Sequence, residues 1–328
     1  MKALVLGGTG FLGTHLCNEL IKRDIQGHRY IPITTGSEYD LLDSDNTSYL
    51  LNRHKPDVIF HLAAYVGGIG LNMKTPGDMF YKNMQMGMNV IEGFKFYNKI
   101  HPNTKLIVVG TVCMYPKHTP VPFKEEALWN GFPEETNAPY GIAKKSLMVM
   151  SEAYRKQYNT NIVFVIPSNL YGPNDNFDYE SSHVIPAIIR KIHEAKENNE
   201  STVTLWGTGN ATREFLYVKD CAKALRFIGE NYNSSKPVNI AVNKDISIKD
   251  LAKEISNIVG YNGSIKWDTS MPDGQPKRRV SNERLINAGF NHTMTNLNKG
   301  LEETYDWFRK LKRTDRANST RRRIKKVS

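Results

Sequence analysis

Val5-Leu6-Gly7-Gly8-Thr9-Gly10-Phe11-Leu12-Gly13 is the stretch that decides the fold of this chain. Residues 2–6 form a short apolar run of strand type. Residues 10–21 place Phe11, Leu12, Leu16 and Leu20 at helical spacing. Glycines between a first strand and a first helix permit a tight turn, let the backbone approach a pyrophosphate, and allow the helix to pack close to the sheet. The free N–H groups at the helix start then face the phosphates. The reading predicts a dinucleotide site that includes Gly7, Thr9, Gly10, Phe11, Leu12 and Gly13.

Strand and helix patterns alternate downstream. Residues 30–34, 57–61, 105–109 and 161–166 read as strands, and 78–100 and 140–158 as helices. Such βαβ units predict an α/β fold, a doubly wound parallel Rossmann sheet. After Pro167 the pattern changes. A turn-rich loop over 171–178 precedes a helix over 183–198, a strand over 203–206 and a helix over 218–231. Residues 238–242 rejoin the sheet in this reading. A helix over 247–260, a strand at 265–268 and a helix over 297–311 complete a smaller, interleaved C-terminal substrate lobe. The expected division is a dinucleotide-binding domain at 1–170, with returning segments near 215–243. A substrate lobe at 171–311 and a basic, unstructured tail at 312–328 follow.

Composition narrows the classes. The chain has 328 residues, 40% hydrophobic and 23% charged, as in a globular protein with a sizeable core. No apolar run approaches the roughly 18 residues that span a bilayer, so no membrane partner is expected. The formal charge is +11, yet ten Lys/Arg against the single acid Asp315 lie between Arg309 and Ser328. The body is nearly neutral, and the tail lacks the aromatics that stack on bases, which argues against nucleic acid. Three cysteines, Cys17, Cys113 and Cys221, form no CxxC pair. That pattern fits a reducing, cytoplasmic setting, and no metal ligand set is assigned.

Tyr140 and Lys144 share a helix face four residues apart. A cation there is expected to draw a phenol from about 10 toward neutrality and to orient ribose hydroxyls. The phenol can then donate a proton to a carbonyl oxygen as hydride reaches its carbon. The Thr111 hydroxyl, just past the fourth strand, can bond the same oxygen. Cys113 lies two residues further, at a strand end of the kind where such folds gather their active sites. As a thiolate it can take a proton next to a ketone. His183 introduces a helix just after Pro167, Asn169 and Leu170, a suitable place for an acid. A base on one face of a sugar and an acid on the other is what epimerisation needs.

The glycine spacing and the Tyr-x-x-x-Lys pair resemble the extended short-chain dehydrogenase/reductase superfamily. That resemblance places Asp40, Leu41, Leu62, Ala63 and Ala64 along the adenine and ribose pocket. After the second strand, Thr34-Thr35-Gly36-Ser37 offers no acid for a free ribose; Glu38 comes a few residues late, and Arg29 and Lys22 are the nearest basic residues. The loop thus leaves NADP and NAD both open.

Residues 1–311 resemble the GDP-L-fucose synthase family more specifically. The matching segments include residues 61–68, 113–116, 139–144, 168–177 (SNLYGPNDNF), 182–187 (SHVIPA), 205–209 (LWGTG), 213–215 and Pro272-Asp273-Gly274. The resemblance implies NADPH-dependent epimerisation at carbons 3 and 5 and reduction at carbon 4 of a GDP-linked 4-keto-6-deoxymannose, in a homodimer. It implies Cys113 and His183 as epimerisation base and acid. Thr111, Tyr140 and Lys144 then serve the reduction, with Lys144 and His183 also touching the cofactor. Lys191, Trp206, Arg213 and Asp273 contact the GDP-sugar. Two departures stand out: Thr111 replaces the usual Ser, and Lys191 stands where some members have Arg.

Other readings fit less well. A 4,6-dehydratase of this superfamily carries an Asp-Glu pair after the hydroxyl residue, where this chain has Val112-Cys113. A simple 4-epimerase needs no Cys/His pair. A reductase for another GDP-linked keto sugar, such as a heptose or colitose precursor, remains the alternative. A non-catalytic protein using the basic tail is disfavoured by the intact catalytic set.

Overall fold

The computed structural model describes residues 1–23, 29–35, 39–271 and 273–327, with side chains to Arg313. The first half alternates strands with helices, two helices standing between β3 and β4: β1 (Lys2–Leu6), α1 (Phe11–Leu20), β2 (Ile31–Thr35), α2 (Ser44–His54), β3 (Val58–His61), α3 (Ile69–Lys74), α4 (Pro76–Ile100), β4 (Lys105–Val109), α5 (Ala138–Tyr158) and β5 (Ile162–Pro167). Then come β6 (Asn169–Tyr171), α6 (Val184–Glu197), β7 (Thr202–Trp206), β8 (Thr212–Tyr217), α7 (Val218–Asn231) and β9 (Val238–Ile240). The chain ends with β10 (Asp245–Ser247), α8 (Ile248–Val259), β11 (Ser264–Asp268), β12 (Lys277–Arg278), α9 (Glu283–Asn287) and α10 (Leu297–Val327).

Local chemistry sets several of these boundaries. The Asp43 side chain accepts the Asp45 N–H at the start of α2, and Lys55 ends that helix in the left-handed region at φ 46°. Ser247 caps α8 by accepting from Asp250, and Gly260 ends it at φ 71°. No Gly or Pro follows Gly300, so nothing halts α10 near Leu311. The backbone of α10 runs on as helix to Val327.

β2-β1-β3-β4-β5-β9 form a six-stranded sheet in that order, parallel throughout. Its strands are apolar on both sides because helices cover both faces. Leu4, Leu6, Leu106, Val108, Phe164 and Ile166 join one buried cluster with Phe94 of α4 and Leu147 of α5. Ala3, Val5, Ile107, Val163 and Val165 face the other way, into a cluster with Leu16 of α1 and Leu225 of α7. The strand order reverses between β1 and β3, which opens a crevice at their carboxyl ends.

The smaller lobe has its own core. Here β10-β8-β12 form a sheet to which β6 adds through β8, and β7 pairs with β11. Ile185, Ile189, Leu251, Ile255, Leu301 and Phe308 pack together beneath it. No helix among the described residues is long and apolar enough to cross a membrane.

Candidate active site

The glycine loop closes onto the sheet more tightly than any side chain would allow. Gly7 sits at φ 85°, and a Cβ there would meet the Ala63 nitrogen at 2.9 Å. A Cβ on Gly13 would lie 2.1 Å from the Gly7 carbonyl oxygen and 2.6 Å from the Gly8 Cα. The α1 N-terminus carries no side-chain cap and no acid in its first turn, so its N–H groups remain open to an anion. These features fit a dinucleotide pyrophosphate. Gly13→Ala is expected to destabilise the fold by about 1–3 kcal/mol through overpacking. It should also abolish measurable cofactor binding, as read by tryptophan fluorescence titration.

One cleft of about 860 Å³ runs from this loop into the smaller lobe. Gly7, Thr9, Gly10, Phe11, Leu12, Gly13, Asp40, Leu62, Ala63, Ala64, Pro167, Asn169 and Leu170 line one part of it, as the sequence predicts. Leu41 does not line it. Its side chain is 6% exposed and lies in the core beside Leu50, and Leu42 lines the cleft instead. The Asp40 carboxylate accepts the Leu42 N–H at 2.9 Å, which turns the chain so that Leu41 points inward. Lys22 and Arg29 do not line the cleft, and Lys22 pairs with Glu19. Gly36, Ser37 and Glu38 lie outside the described residues, as does Pro272.

Thr111, Cys113, Tyr140 and His183 all line the same cleft. The sheet and α5 bring the first three together. Thr111 accepts the Cys113 N–H at 3.2 Å and so starts a 3-10 turn over Val112–Met114. A Cβ on Gly141 would strike the Cys113 carbonyl oxygen at 2.3 Å. The missing side chain lets α5 seat directly against that turn, which puts Tyr140 beside Thr111 and Cys113.

The Tyr140 phenol is not drawn toward neutrality as the sequence reading expects. Burial pushes it well above the usual tyrosine range, the Cys113 charge adds to this, and the Thr111 hydroxyl pulls weakly the other way. Tyr140 is therefore held as an acid rather than a phenolate. Lys144, 1% exposed, does not line the cleft but lies buried one turn along α5, and burial lowers it to about 8.

His61 ends β3 fully buried, and neither ring nitrogen finds a hydrogen-bond partner among the described residues. Burial, aided by Lys144, lowers it to about 3. The folded protein thus keeps this imidazole neutral, whereas the unfolded chain protonates it below pH 6.5. Stability from this group is present above pH 6.5 and is lost as pH falls toward 3. Urea unfolding should show about 2 kcal/mol lost to it between about pH 6.5 and pH 5. His61→Phe should remove that component, and an unchanged pH slope would contradict the assignment.

Lys191, Trp206, Arg213 and Asp273 line the far end of the cleft. Lys191 donates to the Thr204 carbonyl at 3.1 Å and lies 5.7 Å above the Trp206 ring. Arg213 donates to the Asp273 carbonyl at 3.0 Å, and burial beside Arg278 lowers it to about 10. The Asp273 carboxylate is engaged by Thr208, accepting its N–H and its hydroxyl at 2.7 Å each. It shapes the turn at Gly207, whose φ is 78°.

Arg278 and Gln275 were not singled out in the sequence. β12 runs parallel to β8 with Arg278 opposite Arg213, so both guanidiniums enter the cleft. Arg278 Nη1 lies 3.9 Å from Cys113 Sγ, and its Nε donates to Gln275 Oε1 at 3.1 Å. Gln275 in turn donates to the Lys117 carbonyl at 2.8 Å, which ties this arginine to the segment that follows Cys113. In the run Lys277-Arg278-Arg279 only strand register distinguishes the middle residue.

The sequence profile of the NAD dependent epimerase/dehydratase family matches residues 3–241. A GDP-L-fucose synthase of Sinorhizobium fredii (strain NBRC 101917 / NGR234) is 40% identical over 304 residues, which are 93% of this chain and 94% of that protein. This chain belongs to the GDP-L-fucose synthase family. Among solved structures, a GDP-L-fucose synthetase from Naegleria fowleri bound to NADP superposes with TM-score 0.85 at 28% identity, covering 95% of each chain. A GDP-6-OMe-4-keto-L-xylo-heptose reductase from C. jejuni gives TM-score 0.84 at 29% identity, covering 94% of this chain and 98% of that one.

Proposed function

We propose that this chain catalyses the NADPH-dependent 3,5-epimerisation and 4-reduction of GDP-4-keto-6-deoxy-D-mannose to GDP-L-fucose. One observation carries the reading: a thiol, an imidazole, a phenol and a hydroxyl line a single cleft with the glycine loop at one end and two arginines at the other. In an enzyme that only reduced or only dehydrated, the thiol and imidazole would have no task. Incubation with the GDP-keto sugar and NADPH, followed by NMR of the product, tests it. Formation of a sugar with carbons 3 and 5 unchanged would overturn it.

The residues divide the work as follows. The 4-ketone makes the protons on carbons 3 and 5 acidic. Cys113 takes one from carbon, and His183 returns one to the opposite face. Tyr140 then donates its phenolic proton to oxygen 4 while Thr111 hydrogen-bonds the same oxygen. Lys144, buried behind Tyr140, supplies a positive charge for the phenolate left when Tyr140 gives up its proton. NADPH, when bound, supplies hydride to carbon 4. Lys191 and Arg213 suit the diphosphate, and Trp206 gives an apolar wall.

Residues 1–170, with the returning segment near 215–243, carry the cofactor in this reading, and 171–311 carry the GDP-sugar. Exposed Tyr81 and Phe96 on α4, with Val149 and Tyr158 on the adjoining α5, offer an apolar face for a homodimer, testable by light scattering. The three cysteines are all free thiols, in keeping with a reducing cytoplasm. The Campylobacter neighbour supports a second reading, a reductase for a GDP-linked heptose. Assaying both sugars side by side separates the two.

A further inference from the structure

His183 stands at the N-cap of α6, its side chain 44% exposed to the cleft. Asp175 faces it from the loop between β6 and α6. Its side chain is only 3% exposed, and Oδ1 lies 3.9 Å from His183 Nδ1. Oδ1 also accepts the Asn176 N–H at 2.7 Å, while Oδ2 is buried with no hydrogen-bond partner among the described residues. A buried carboxylate oxygen left unpaired is costly and asks for a reason.

The loop holds Asp175 there deliberately. Gly172 at φ 152° and Asn174 at φ 68° take conformations that few residues adopt. The carbonyl of Pro173 between them accepts a hydrogen bond from His15 Nε2–H at 2.7 Å. His15 belongs to α1, the helix that follows the glycine loop, so Asp175 is braced against the cofactor-binding half. The carboxylate is thus fixed beside an imidazole that is open to the cleft, and a movement of about 1 Å brings Nδ1 to hydrogen-bond distance.

We propose that Asp175 is a positioning residue for His183: its carboxylate takes the Nδ1–H, so that Nε2 is the nitrogen presented to the sugar carbon. This rests on the reading of His183 as the epimerisation acid. An imidazole without such a partner spreads over two tautomers and two ring orientations, and only one of these serves the substrate.

Asp175→Asn is the informative variant because its side-chain oxygen can still accept the Asn176 N–H, which preserves the loop. Its amide, however, donates to an imidazole nitrogen instead of accepting. ¹⁵N NMR of the histidine-labelled full chain should show His183 carrying its proton on Nδ1 in the wild type and on Nε2 in Asp175→Asn. Deuterium incorporation from D₂O into the keto sugar, run with NADP⁺ so that reduction cannot proceed, should fall about 100-fold. NADPH oxidation with the already epimerised keto sugar should stay within about threefold of wild type. Formate should restore exchange in Asp175→Ala by refilling the carboxylate position. An unchanged tautomer, or wild-type exchange in Asp175→Asn, overturns the proposal, as does equal loss of exchange and reduction. If the wild type converts no GDP-keto sugar, the functional reading falls, while the tautomer measurement still decides the pairing.

Discussion

Tyr140→Phe is expected to cut cofactor-dependent reduction by about 10²–10⁴-fold, the usual worth of a positioned general acid. Tyr140 is buried, and its neighbour Gly141 seats the helix against the Cys113 turn, so removing only the hydroxyl leaves the packing intact. Burial keeps the phenol protonated, which is the form a reduction consumes. The epimerisation needs no proton transferred from the phenol, because the enolate on oxygen 4 keeps the Thr111 hydrogen bond. NADPH oxidation, followed at 340 nm, should therefore collapse while substrate protons still exchange with D₂O. Loss of both activities together would refute the division of labour between Tyr140 and the Cys113/His183 pair.

Cys113→Ser should produce the opposite pattern. A serine hydroxyl is a far weaker acid than a thiol, so its oxygen does not become the base that abstracts a carbon-bound proton near neutral pH. Deuterium incorporation at carbons 3 and 5 should fall by about 10²–10⁴-fold. The swap keeps the N–H that Thr111 holds and the backbone against which Gly141 packs, so the fold and the cofactor site persist. Cofactor affinity by titration calorimetry should stay within about twofold. An unchanged yield of epimerised product would remove Cys113 from the mechanism and leave an ordinary carbonyl reductase.

Most of the parallel sheet was legible because its strands are apolar on both faces and its helices carry regular periodicity. The helix over 218–231 and the strand over 105–109 match α7 and β4 in both ends. The short elements β6, β10 and β12 were not legible, since two or three residues carry no period and owe their form to pairing with β8. α2 was missed because its hydrophobic positions are few and its start depends on the Asp43 cap. The candidate catalytic residues that line the cleft were singled out by motif, but their environments were not legible. Spacing places Lys144 one turn from Tyr140, yet only the folded structure reveals that burial raises the phenol and lowers the lysine. Arg278 stayed hidden because its role comes from a strand register and a glutamine three residues away.

Two of the crossings between the sheet systems have almost no slack. Ser168 alone separates β5 from β6, and α7 begins at the residue after β8 ends. At these junctions a clamshell motion would have to bend within a residue or two rather than along a linker. The backbone positions that carry the thiol and the imidazole are therefore set when the chain folds, not when the sugar arrives. Adaptation to a new sugar must accordingly proceed by changing individual side chains along the crevice, because neither half can be exchanged as a cassette without dismantling the other.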